Sequence, residues 1–282
     1  MLFIGDVFGK PGREAVREFL PKIKKKYSID LVIGNVENSA HCKGVTTRIL
    51  RHMSECGIDF FTLGNHSWSK TDELEEIFSS WKNIVRPLNL SDSFKYYNLG
   101  VGSRSISHSG LKIRITNLLG TSVAFKNKQT NCFTVFDDLL NHLREKSNEK
   151  EIHIVDFHSE TTSEKNAFLW AFNGQVSAII GTHTHIPTND WVITQEGTAY
   201  ISDVGMTGPS CGIIGGKKEG IIRKFFHPEE RFQLEAEEGP IQLCAVLMTF
   251  DRESYLPLSI EPIIIREGFS SDNYSLDNFL KS

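Results

Sequence analysis

Seven strand-length apolar runs break off, one after another, at Gly, Asn, Asp or His, and this recurrence narrows the folds open to the chain. They are "LFIGD" (2–6), "LVIGN" (31–35), "FFTLGN" (60–65), "KIRITNLLG" (112–120), "IHIVDFH" (152–158), "AIIGTHTH" (178–185) and "AYISDVG" (199–205). Their hydrophobicity is near-continuous rather than alternating, which predicts strands buried on both faces. Helical patterns lie between them: "REAVREFLPKIKKKY", "TTRILRHMSEC", "TDELEEIFSSW", "VFDDLLNHLREK" and "SEKNAFLWAFNG". The alternation predicts an α/β layered fold with helices packed on a central sheet. Pro21 is expected to break or kink the first helix. Gly57 reads as the C-cap of the second, and Thr71–Asp72 as the N-cap signal of the third.

No internal repeat appears, and residues 1–282 read as a single domain. The span "GPSCGIIGGKKEG" (208–220) reads as a long loop, and the polar tail after "LSIEPIIIR" (258–266) as loosely docked. The net charge of −4 argues against a broad basic face, so no stable nucleic-acid binding is expected. The cluster "KIKKK" (22–26) reads as a solvated helix end favoured by the helix dipole. Five scattered cysteines, never in a CxxC pair, exclude a disulfide framework and a cysteine zinc site. With no signal-peptide run and no membrane-length apolar run, the chain is expected to be soluble and cytoplasmic. Homo-oligomerisation stays open.

In open α/β sheets, ligands collect outside the carboxyl ends of the strands. Here those ends carry Asp6, Glu37 and Asn38 ("GNVEN"), Asn65 and His66 ("GNHSW"), His158, and His183 and His185 ("GTHTH"). Singly, each reads as a turn residue or a structural histidine. Together they bring carboxylate, amide and imidazole groups to five strand ends, which suits a metal site. Two divalent ions about 3.5–4 Å apart need a bridging carboxylate and mixed N and O ligands, and such pairs clamp displacement at phosphorus. This much reaches a metal-dependent phosphoester hydrolase.

The motifs "GDVFGKPGR", "GNVEN", "GNHSW", "DFHSETTSEK", "GTHTH" and "SDVGMTGP" resemble the YmdB-type branch of the calcineurin-like metallophosphoesterases. The resemblance implies a four-layer α/β/β/α sandwich with the site at the carboxyl ends of the strands. It assigns one metal to Asp6, Glu37, Asn38 and His185, and a second to Glu37, Asn65, His158 and His183, with Glu37 bridging. His66 becomes the general acid rather than a ligand. Fe or Mn are the expected ions, with Zn, Mg or Co as alternatives. Phe8 stands where the wider superfamily usually has His, and "GNVEN" where it has GDxxD; both departures suit this branch. Cys42, in "ENSAHCKG", departs from the branch itself, which typically has Gly there. It is expected to be tolerated, to perturb a tight turn, or to expose an oxidisable thiol.

The implied reaction is hydrolysis of a small-molecule nucleotide phosphodiester, most naturally a 2′,3′-cyclic nucleotide. The metals would supply hydroxide near neutral pH, and His66 would protonate the leaving ribose oxygen. A phosphomonoesterase, a phosphoprotein phosphatase and a nucleotide-sensing scaffold without turnover are the competing readings. Of the other histidines, His153 is placed within a strand, His52 and His142 on helices, and His108 and His227 in polar loops. His41, close to Glu37, is the only one of these placed near the pocket, and Met206 and Thr207 are candidates to line a substrate cleft or to form a turn.

Overall fold

The structure, a computed structural model, describes residues 1–125, 128–147 and 149–269. The chain opens with β1 (Leu2–Ile4), α1 (Gly9–Tyr27), β2 (Val32–Asn35), α2 (Thr47–Glu55), β3 (Phe60–Thr62) and α3 (Leu74–Ser80). These three strands are parallel neighbours in one sheet. The second sheet draws on β4 (Ser103–His108), β5 (Leu111–Leu119), β6 (Ile152–His158), β7 (Ala178–Thr182), β8 (Val192–Ile193) and β9 (Ala199–Ile201). Its helices are α4 (Cys132–Lys146) and α5 (Thr162–Phe172), and its order is β4-β5-β6-β7-β9-β8. The chain then returns to the first sheet through β10 (Gly208–Pro209), α6 (Lys218–Phe226), β11 (Ile241–Phe250) and β12 (Pro257–Arg266). β11 runs antiparallel to β1, with β12 antiparallel along its other edge.

Successive side chains of a strand point to opposite faces, and here both faces are covered. Leu2, Ile4, Val32 and Phe61 pack against Phe19, Leu50 and Ile77 of α1, α2 and α3. Phe3, Ile33, Phe60 and Val246 pack against Ile113, Ile115, Ile154 and Ile180 of the other sheet. On the far side, Val155, Phe157 and Ile179 lie against Phe136, Phe168 and Phe172 of α4 and α5. The architecture is therefore the four-layer α/β/β/α sandwich, not helices on one central sheet. Periodicity alone cannot separate the two, because a strand facing a helix and a strand facing a sheet both read as apolar throughout. The consequence for function is geometric: β1, β2 and β3 of one sheet and β6 and β7 of the other end at the same rim.

Other expectations need correction. α1 runs through Pro21, with Phe19, Leu20 and Ile23 fully buried around it. Burying such side chains is worth about 1.5–3 kcal/mol each, which offsets the roughly 3 kcal/mol penalty of an interior proline. Thr71–Glu73 form a 3₁₀ turn, and α3 begins after it without a side-chain cap. Glu73 instead accepts from the backbone N–H of Thr47 at 2.7 Å, so its carboxylate caps α2. Gly57 does follow the C-cap of α2, at φ 108. The 208–220 span is not all loop, since it holds β10 and the first turn of α6. His108 ends β4 rather than lying in a loop. The tail beyond residue 269 lies outside the described residues. Among the described residues, no helix is long and apolar enough to cross a membrane.

His153 sits in β6, 4% exposed, with Nε2 2.8 Å from Thr116 Oγ1. Burial lowers it to about 3, whereas an unfolded histidine titrates near about 6.5. As pH falls the unfolded chain takes the proton first. This group's stability is therefore full above about pH 6.5 and drains toward pH 3, at up to about 1.4 kcal/mol per pH unit. His153→Gln cannot titrate, so in metal-free protein it should flatten the loss of urea midpoint between about pH 7 and pH 5. Parallel slopes for parent and variant would refute this account.

Candidate metal centre

Each element that reaches the rim delivers a polar side chain there, and local hydrogen bonds fix its aim. Asp6 follows β1, and its carbonyl accepts from Thr207 N at 3.0 Å. Glu37 follows β2, where its own N–H donates to Asn35 Oδ1 at 3.1 Å. Its Oε2 accepts from the backbone N–H of His66 at 2.7 Å, which ties the turn after β2 to the turn after β3. A side chain at Gly64 would place Cβ 2.4 Å from Glu37 Oε2 and 2.6 Å from the His158 ring, so only glycine permits this approach. His158 is the last residue of β6, and His183 and His185 leave β7 in the left-handed region at φ 105 and φ 68.

Proton positions can be assigned from the partners. Thr182 Oγ1 donates to Asp156 Oδ1 at 2.7 Å, so it accepts from His158 Nδ1–H at 2.8 Å. His158 Nε2 is therefore a bare lone pair. His183 Nε2 lies 2.9 Å from Glu160 Oε2 and holds its proton there, leaving Nδ1 bare. His185 Nδ1–H donates to the Ile214 carbonyl at 2.8 Å, leaving its Nε2 bare. Around His158 Nε2 stand Glu37 Oε1 at 3.0 Å, Asn65 Oδ1 at 3.1 Å and His183 Nδ1 at 3.0 Å. Four acceptors converge with no proton between them.

Burial lowers both His158 and His183 to about 4, so both rings are neutral at physiological pH, the form in which imidazole binds a metal. Asp6 is fully buried; desolvation raises its carboxyl, and His158 and His185 oppose that rise. Asp6 Oδ2 accepts from the backbone N–H of His183 at 3.1 Å, whereas Oδ1 has no hydrogen-bond partner. Asn38 Oδ1 is likewise buried without one, while Asn38 Nδ2 donates to the Cys42 carbonyl at 3.0 Å. These orphaned oxygens and bare nitrogens fit cations. Ligands about 2.0–2.2 Å from one ion and at right angles to each other lie about 3 Å apart.

The fold thus gathers Asp6, Glu37, Asn65, His158 and His183 in direct contact. His185 lies close enough to act electrostatically on Asp6 and on His66, and Asn38 is buried on the turn that carries Glu37. The His66 ring stands next to Asn65, with Nε2 3.5 Å from Asn65 Nδ2, and burial lowers its pKa. His41 is exposed on the turn after β2, at φ 51. Met206 is buried against Phe8 and Cys42 and lines a cavity of about 760 Å³ beside His185. Thr207 lines no cleft: it is buried in the sheet, with Oγ1 3.2 Å from both Cys244 O and Cys244 N. The Cys42 thiol is buried and burial raises its pKa, so it is not an exposed reactive thiolate.

The family model described as YmdB-like protein matches residues 2–263. The chain belongs to the YmdB-like family. A Mycoplasma genitalium protein described as a phosphatase/phosphodiesterase is 44% identical over 266 residues, covering 94% of this chain and 92% of that protein. The 2′,3′-cyclic-nucleotide 2′-phosphodiesterase of Bacillus subtilis is 38% identical over 267 residues, covering 95% of this chain and 97% of that enzyme. The crystal structure of a Mycoplasma pneumoniae phosphatase superposes with a TM-score of 0.90 at 42% identity, over 100% of this chain and 95% of that one. This YmdB-like chain is accordingly a hydrolase of phosphoric esters of the metallophosphoesterase type.

Sequence reasoning gave no role to Lys165 or Asp203. Lys165 is 1% exposed, and its Nζ donates to Asp203 Oδ2 at 2.8 Å and to the Thr182 carbonyl at 2.9 Å. Asp203 also accepts from the N–H groups of Thr184 and Gly205. The pair clamps both sides of the strained histidine turn in this YmdB-like fold. A signal was present, since Lys165 shares the i, i+3, i+4, i+7 face of α5 with Phe168, Leu169 and Phe172. Lys165→Met leaves a buried carboxylate without its cation and should cost about 3–5 kcal/mol. A urea-denaturation loss below about 1 kcal/mol would rule out the clamp.

Proposed function

We propose that the chain is a dinuclear-metal-dependent phosphodiesterase acting on 2′,3′-cyclic nucleotides. The observation that carries the reading is the convergence of Glu37 Oε1, Asn65 Oδ1 and His183 Nδ1, each about 3 Å from His158 Nε2, with the partners of both imidazoles leaving no proton among them. Lone pairs so arranged repel unless a cation lies between them. Glu37, Asn65, His158 and His183 would hold one ion. Asp6, Asn38 and His185 would hold the other, with Glu37 shared. The mixed N and O donor set suits Fe or Mn, and also accommodates Zn, Mg or Co. When bound, the ions supply Lewis acidity to phosphoryl oxygens and lower the pKa of a water.

The protein's own part is to orient the ester and to move one proton. His66 is the donor: its backbone is tied to Glu37 and its ring flanks Asn65, next to the candidate ligands. Burial favours the neutral ring. An anionic diester brought beside it favours the imidazolium, so the proton arrives with the substrate. The diester class is supported by the Bacillus subtilis relative, whose name specifies a 2′,3′-cyclic nucleotide.

Two measurements test this. Glu37→Gln removes the shared charge and should abolish uptake of both ions after Mn²⁺ or Fe²⁺ reconstitution; elemental analysis finding one ion or none in the parent would sink the dinuclear reading. His66→Gln should keep its metal and lose about 10²–10⁴-fold in kcat/KM on a 2′,3′-cyclic nucleotide. A ribose oxygen needs a proton to leave, whereas p-nitrophenolate does not, so bis-p-nitrophenyl phosphate should suffer at least about 100-fold less, or roughly 2.7 kcal/mol of barrier. Equal losses on the two diesters would remove His66 as the acid. A parent preference for monoesters would favour a phosphomonoesterase.

A further inference from the structure

Asp156 is a fully buried carboxylate that the proposed reaction does not use. It lies in β6 of the second sheet, two residues before His158, and its two oxygens serve different partners. Oδ1 accepts from Thr182 Oγ1 at 2.7 Å, and Thr182 in turn accepts from His158 Nδ1. Oδ2 accepts from Asn35 Nδ2 at 3.0 Å, across the gap between the sheets. The same Asn35 donates to the Leu63 carbonyl at 3.0 Å and receives the backbone N–H of Glu37 on its Oδ1 at 3.1 Å. One carboxylate thus links, through a hydroxyl on one side and an amide on the other, the imidazole of one sheet and the carboxylate of the other.

We propose that Asp156 and Thr182 are positioning residues that lock His158 in the Nδ1–H form and hold Glu37 and His158 at their 3.0 Å separation, thereby setting the metal affinity of the site. This rests on the metal reading above and adds to it an origin for the bare Nε2. Without the Thr182 hydroxyl, the acceptor left to Nδ1–H is Asp6 Oδ1, 3.8 Å away and beyond hydrogen-bond distance. The ring is then better served by moving its proton to Nε2, where Glu37 Oε1 and Asn65 Oδ1 accept it. That tautomer blocks the nitrogen a metal needs. Asn35 makes the effect two-sided, because its amide is oriented by Asp156 and itself orients the turn that carries Glu37.

The test uses full-length protein with Thr182→Val, which removes the hydroxyl at nearly constant volume, and Thr182→Ser, which restores it. Mn²⁺ affinity, measured by competition with a chelator, should fall about 10–100-fold in Thr182→Val and recover in Thr182→Ser. In the metal-free protein, ¹⁵N imidazole spectra should show His158 protonated on Nδ1 in the parent and on Nε2 in Thr182→Val. Circular dichroism and melting of the valine variant report whether it folds; if it does not, Thr182→Ala, which also lacks the hydroxyl, is read by the same two measurements, with the same expected changes. Unchanged affinity and an unchanged tautomer in a folded variant would overturn the proposal, as would failure of Thr182→Ser to restore either. If the parent itself takes up no Mn²⁺, the metal reading falls, and the tautomer spectra still decide whether Thr182 sets the proton of His158.

Discussion

Four lone pairs held together without a proton are the constraint on which the rest of this molecule depends. Glu37 Oε1, Asn65 Oδ1 and His183 Nδ1 each stand about 3 Å from His158 Nε2. Nothing in such a cluster favours its own assembly in the absence of a cation, so the scaffold must impose it. The two sheets do so by ending at a common rim. Glu37 and Asn65 come from strands of the first sheet, His158 and His183 from strands of the second, and the apolar face between Phe3, Ile33 and Phe60 and Ile113, Ile154 and Ile180 fixes one sheet on the other. An interior packed at crystal-like density resists the sliding that would relieve the repulsion.

The same demand explains where backbone strain collects. A histidine at φ 105 followed two residues later by one at φ 68 is costly for residues that carry a Cβ, on the order of 1–3 kcal/mol each. This geometry lets both imidazoles of "GTHTH" turn toward the rim, one presenting Nδ1 and the other Nε2. The turn is held from beneath by the buried Lys165–Asp203 pair and from the side by the Asp6 carboxylate on the His183 N–H. Removing either support would release strain locally and scatter the ligands, which is why buried charges stand beneath the histidine turn.

How much of this was legible in the sequence follows from the same physics. Strands whose carboxyl ends reach the rim announce themselves, because the apolar run must stop at a ligand or at the glycine that lets ligands close in. Asp6, Asn65, His158 and the "THTH" histidines were found in that way. β11 runs antiparallel to β1, so its carboxyl end at Phe250 points away from the rim. Its apolar run "LCAVLM" carries no such mark and is absent from the strands read in sequence. Asp156 and Asn35 were invisible for another reason. Asp156, inside an apolar run, reads as a strand interruption, and Asn35, at the end of one, as a turn residue; only the three-dimensional pairing of β6 with β7 and the stacking of the sheets reveals that each has a partner. Lys165 stood in plain view on an apolar helix face, but its meaning depended on Asp203, which is distant in sequence.

The departures at positions 8 and 42 turn out to be neighbours. Phe8, 1% exposed, sets its ring edge-on to His185 at 5.3 Å between centroids, and Cys42 and Met206 pack with it in one small buried cluster. An imidazole at position 8 would have offered another nitrogen to the candidate metal centre. The phenyl ring offers none, and it closes one side of His185 to water. An apolar ring in that place must itself be covered, and Cys42 contributes to the cover at the expense of adopting φ 68. The side chain therefore returns apolar contact for the backbone strain that a glycine would have avoided. Burial keeps the thiol protonated, so it does not invite oxidation.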